Sequence, residues 1–265
     1  MKRAVKRACL ALFAAAAMAL AAPAAQAGRS CDAAAPSAAG VAQSMTLAEH
    51  TARWLDASGA QVVVLARAGQ DLSRYGLRWS HLGFAYRDGR VWRVAHKLNA
   101  CGTAEGQLFR QGLGEFFLDD PFRYEAGVAV LSPEVQARLL PLLSDNRRLA
   151  TLHEPAYSMV AYPWAQTYQQ SNQWAIETLA LAMDPADVTG RAGAQDWLKW
   201  RGYQPTTLNI GPMTRLGARL SSNHIAFDDH PAARRFSDRI DTVSADSVFA
   251  WLARSGLGGA LSVVR

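Results

Sequence analysis

The pattern of apolar and polar positions changes along this chain. Positions 10–22 form a nearly unbroken, Ala-rich apolar run. Lys2, Arg3, Lys6 and Arg7 precede it, and Ala25-Gln26-Ala27 follows with a small residue on either side of Gln26. This order reads as a cleavable signal peptide cut after Ala27. The run is shorter than the roughly 20 residues a spanning helix needs. No later stretch is long and apolar enough to span a bilayer. The expected mature protein is therefore soluble and lies in the periplasm or outside the cell.

Residues 28–45 are small and polar without a period and read as an N-terminal tail. Helical spacing begins at 46–57, with Thr46 as cap and Leu47, His50, Thr51, Trp54 and Leu55 on one side. Residues 61–66 are β-branched and apolar, as in a buried strand. Two strand-like runs at 79–87 and 90–97 flank Asp88-Gly89, a strong hairpin signal. A further strand is expected at 124–131. A helix then opens on Ser132-Pro133 and buries Val135, Leu139, Leu142 and Leu143. Residues 157–162 read as a strand ended by Pro163, and 171–183 as an apolar helix. Beyond Gly190 the expected elements are helices at 192–201, 213–220 and 246–254, with short strands at 206–210 and 224–227. No repeat or linker interrupts residues 46–265. The expectation is one α+β domain with an antiparallel sheet packed on the 171–183 helix.

Charge and cysteine content add two constraints. The chain carries +6, and subtracting the four basic residues of the leader leaves +2. No basic stripe with interleaved aromatics suggests nucleic acid. Cys9 leaves with the leader, so Cys31 and Cys101 remain, and an exported chain with two cysteines suggests a disulfide between them. The competing reading makes Cys101 a reactive thiol.

The hairpin supplies the candidate chemistry. If Asp88 and Gly89 are the two turn residues, Arg87 faces Arg90 and His81 faces His96. The two imidazoles then share one sheet face as a base and the group that orients it. Ser171 stands at the start of the apolar helix, where backbone N–H groups and the helix dipole favour an oxyanion, although serine there is also a common cap. Asp228, Asp229 and His230 with His224 are candidate metal ligands by residue type. Contiguous side chains diverge, and a helix start at Asp229 followed by Pro231 accounts for the run, so neither metal nor cofactor is expected. Asp119-Asp120-Pro121 reads as a turn, and 257–260 is not a phosphate loop.

SHLGF followed by strand, turn and strand resembles the histidine segment of circularly permuted papain-like proteins. That group includes relatives of NlpC-type cell-wall peptidases and of lecithin:retinol acyltransferase. Ser171-Asn172-Gln173-Trp174 resembles its nucleophile segment, with Ser in the usual Cys place, and His96 matches its third polar position. SHLGF, LNACGT, YQQSNQW, RLGARL and FDDHP also resemble an uncharacterised family of secreted bacterial proteins over nearly the whole length. The papain-like resemblance implies an exported hydrolase or acyltransferase of amide or ester bonds. His81 would be base, His96 its orienter, Ser171 the nucleophile, and the helix start at Asn172 the oxyanion donor. Ligands would be peptide, cell-wall or lipid-like, with cell-wall peptide the natural substrate class. A serine is a poorer nucleophile than a thiol, so the alternative is an inactive papain-like binding module of the bacterial envelope.

Overall fold

The computed structural model describes residues 35–118 and 121–265. The expected leader, Cys31, Asp119 and Asp120 lie outside the described residues.

The first helix, α1, spans Ala38–Ser58. It starts earlier than Thr46 because Ser37 caps it, accepting from the Gly40 N–H, and Thr46 becomes an interior residue whose hydroxyl donates to Ala42 O. The rest of the expected tail, from 38 to 45, is therefore helical. Gly59 ends the helix at φ 67°. Strands β1 (Val62–Ala68), β2 (His81–Asp88), β3 (Val91–Asn99), β4 (Gly106–Gly112) and β5 (Arg123–Val130) follow, with short helix α2 (Leu113–Phe117) between the last two. Then come α3 (Pro133–Ser144), α4 (Asn146–Leu149), α5 (Ser171–Met183) and α6 (Arg191–Trp200). The C-terminal part holds β6 (Thr206–Asn209), α7 (Pro212–Ser221), α8 (Ala232–Arg235), β7 (Arg239–Thr242), α9 (Ala245–Ser255) and β8 (Ser262–Val264).

Six strands form one antiparallel sheet in the order β4-β3-β2-β1-β5-β8, and β6 pairs with β7 in a second small sheet. Both faces of the large sheet are covered, which is why central β1 is buried along its length and reads as apolar from Val62 to Ala66, before Arg67. On one face Val62, Val64 and Phe84 pack with Leu139 of α3, Trp174 of α5 and Trp251 of α9. On the other, Val63, Leu65, Ala85 and Val94 meet Leu47 and Leu55 of α1 and Phe116 of α2. The α+β class with an antiparallel sheet is as the pattern suggests. Ser132 caps α3 as expected, and its four anticipated core residues are buried.

Two expectations are corrected. Residues 157–162 form a loop, not a strand. The Tyr157 N–H donates to Ala104 O and the Met159 N–H to His224 O, so single bonds to two separate segments replace a ladder. Residues 224–227 are likewise irregular and tied to that loop through the Ser158 hydroxyl. The partner of β6 is β7, whose four residues carry too short a pattern to stand out. Strands β4 and β8 also lacked a readable alternation.

Candidate functional site

The site begins with a turn placed one residue later than expected. Asp88 pairs with Val91, so Gly89 and Arg90 make the turn, and Gly89 takes φ 60° at its first position. This moves every pairing by two residues and leaves the faces unchanged. The direct pairing of His81 with His96 is thereby corrected. Continuing the register from Phe84↔Ala95 puts Gly83 opposite His96. A Cβ on Gly83 would lie 2.7 Å from His96 Cβ. The bare glycine thus gives the His96 ring room to reach diagonally to His81.

The reach is completed by a hydrogen bond, His81 Nε2 to His96 Nδ1 at 2.9 Å. Phe116 packs against both rings, with centroids 5.9 and 5.2 Å away. The proton positions follow by elimination. The Glu115 carboxylate only accepts, so Gln111 Nε2 donates to it at 3.0 Å. Gln111 Oε1 then faces His96 Nε2 at 2.8 Å, and that nitrogen carries the proton. Burial and Arg67 push His96 down to about 3, so the ring is neutral and its Nδ1 is an acceptor. His81 must therefore donate from Nε2. Burial, then Arg67 and His96, hold His81 well below its ordinary value. It too is neutral, and Nδ1 keeps its lone pair. Sequence reasoning missed Gln111, Glu115 and Arg67. Arg67 sits directly across β1 from His81.

Ser171 opens α5, but it is not the cap. The Gln170 side chain accepts from the Asn172 N–H at 3.0 Å and takes that role. The Ser171 hydroxyl lies 3.5 Å from the Tyr157 hydroxyl, and among the described residues it makes no hydrogen bond with either imidazole. Burial raises the Tyr157 pKa, so this phenol stays protonated. Tyr157 is a site residue that the strand-like reading of 157–162 concealed. Asn172 clamps helix to sheet: its Oδ1 accepts from the Leu82 N–H at 3.0 Å, and its Nδ2 donates to Val243 O at 3.1 Å. Its backbone N–H and one of the two N–H groups of its side-chain amide are thus engaged within the fold.

The residues after His81 and Ser171 are thus bonded to each other, and His81 and Ser171 line one cavity of about 440 Å³. Both are nearly buried, at 8 % and 5 % exposure. Ser80, Gln170, Asn172 and Ser244 also line it. On the opposite sheet face Lys97 donates to Gln169 Oε1 at 2.9 Å and to Glu154 O. Burial, with Arg191 nearby, pushes it down to about 7. Gln169 in turn bonds Glu177, which holds Arg191 at 2.9 Å. This buried set fixes the loop that delivers Tyr157.

His230 bonds Asp229 at 2.9 Å and Asp241 O at 3.0 Å, which ties its ring into the packing beside β7. Among the described residues no group of three or more His, Cys, Asp or Glu is placed to hold a metal ion. Cys101 is not free, and its expected partner Cys31 lies outside the described residues.

A family model described as "uncharacterized protein conserved in bacteria (DUF2145)" matches residues 54–252. The chain belongs to the DUF2145 family. The match spans β1 to α9 and includes His81, His96 and Ser171. No curated protein and no solved structure matches the chain. Among the described residues no DUF2145 helix is long and apolar enough to cross a membrane.

Proposed function

We propose that this protein is an exported hydrolase or acyltransferase of ester or amide bonds, with a circularly permuted papain-like arrangement. The observation that carries the reading is the directed hydrogen-bond chain from His81 through His96 and Gln111 to Glu115. It leaves His81 Nδ1 as a neutral acceptor in a residue that lines the same cavity as Ser171. A general base must begin unprotonated and be held in one tautomer, and this chain supplies both conditions.

In this reading the Ser171 Oγ–H bond breaks as Oγ attacks the acyl carbon, and His81 Nδ1 takes the proton. The proton then passes to the leaving alcohol or amine, and water or an acceptor alcohol releases the acyl group from Ser171. Tyr157, protonated and beside Ser171, donates to the oxyanion in place of Asn172. The leader and a Cys31–Cys101 disulfide belong to the same proposal of an exported protein.

A second reading is a binding module without turnover. It is favoured by the Ser171 hydroxyl facing Tyr157 instead of an imidazole. Treatment with a fluorophosphonate followed by intact-mass measurement separates the two. The enzyme reading expects one adduct, lost in Ser171→Ala and strongly slowed in His81→Ala. No adduct, together with no hydrolysis of nitrophenyl esters, leaves the binding module.

A further inference from the structure

The cavity has two chemically different ends. Ser80, His81, Gln170 and Ser171 lie at one. The other is walled by Tyr75, Leu77, Val160, Leu208, Ile210 and Phe227. These six belong to a small apolar cluster separate from the two main cores. They line a cavity that is open to solvent, to whose wall exposed Asp71, Arg74 and Thr214 also contribute. The cavity also lies within the size range of small-molecule sites.

We infer that the cavity takes a fatty-acyl chain, with the tail in the apolar cluster and the carbonyl at Ser171 and His81. This rests on the catalytic reading for the head group and deepens it by naming the substrate class. The aliphatic wall argues for a chain over a peptide. Leu77, Val160, Leu208, Ile210 and Phe227 offer no side-chain hydrogen bond, so this part of the wall has nothing to pair with the N–H and C=O groups of a peptide. A methylene chain has no such group to satisfy. The roof of this end is α7, which contributes Thr214 and Ala218 to the lining. Gln170 and Asn172 close the polar end through their bonds to Val243 O, so the two ends are held in fixed relation.

The test is calorimetric titration of the full chain with laurate below its micelle concentration, in parallel with an N-acyl dipeptide. Saturable laurate binding with a negative heat-capacity change is expected. Thr214→Trp fills the tail end from an exposed helix position and should weaken laurate by about tenfold or more. Ile210→Trp should do the same from inside. Glu134→Ala, at an exposed position of α3 outside the cavity, should bind laurate as the native protein does. Laurate binding that is absent, or unchanged in both Trp variants, overturns the inference, as does binding of the dipeptide alone. Saturable binding blocked by the Trp variants, in a protein that forms no fluorophosphonate adduct, supports the acyl site and rejects the catalytic reading.

Discussion

His81 Nε2 and His96 Nδ1 lie 2.9 Å apart although the two residues are not direct partners across the β2–β3 ladder. The contact is diagonal. It depends on Gly83, the residue that occupies the place opposite His96, having no side chain.

Gly83→Ala is therefore expected to break the pair without touching either imidazole. The new Cβ would meet His96 Cβ at 2.7 Å and Ala95 O at 2.8 Å, and backbone cannot yield cheaply. Overpacking of this kind costs about 1–3 kcal/mol. Thermal unfolding should show the loss, and ester hydrolysis should fall with it. An unchanged melting temperature would contradict the register described above.

His96→Asn should separate positioning from binding. Without His96 Nδ1 as acceptor, His81 is no longer held with its proton on Nε2. Fluorophosphonate labelling of Ser171 should slow by about a hundredfold, within the range that general-base catalysis contributes. Laurate affinity should remain within about twofold, because the tail end of the cavity is untouched. The pH profile of labelling should also change. In the native protein labelling should stay flat as pH falls from neutral through about 6, since His81 is held well below its ordinary value. A profile that falls with an ordinary histidine pKa would remove His81 from its buried setting.

Stability should also depend on pH through these rings. Both folded pKa values are depressed, His96 to about 3. Above the unfolded value of about 6.5 both rings are neutral in both states, and the full stability is present. As pH falls from there, the unfolded chain takes up protons that the folded chain refuses, and stability is lost until the folded values are passed. Urea unfolding between about pH 7 and pH 5 stays above most carboxylate titration and isolates this slope. The slope should be shallower in His96→Asn. Equal slopes would mean that the pair is not buried neutral.

Glu177→Leu tests the polar set that fixes the Tyr157 loop. Glu177 is fully buried and bonds Arg191, Gln169 and Gln195. Removing it leaves a buried guanidinium without its carboxylate, a change that typically costs about 3–5 kcal/mol. Denaturant unfolding should show this, whereas exposed Glu134, paired with Arg138 on α3, should tolerate Ala with little change.

The parts that followed from local pattern are those whose cause is local. Ser132 and Pro133 start α3 because capping and a fixed φ act within one turn. The apolar stretch of β1 is readable because both sheet faces are covered along its whole length. The two histidines fall on one face because strand parity survives a shift of two residues. By contrast, the hairpin register turned on whether Asp88-Gly89 or Gly89-Arg90 makes the turn, and both dipeptides carry the same glycine. Residues 157–162 carry a strand's composition, yet their backbone groups found single partners at Ala104 and His224.

By itself, the sequence determined the α+β class, the principal helices, the parity that puts His81 and His96 together, and the place of Ser171 at a helix start. Only the tertiary structure decided which atoms meet. Gln111 and Glu115 set the tautomers from β4 and α2, Gln170 takes the cap from Ser171, and Tyr157 arrives on a loop. The cavity likewise forms between β1, β2, the start of α5 and the small β6–β7 sheet. These partners are far apart along the chain, and hydrogen-bond direction and enclosed volume arise only when distant segments close on one another.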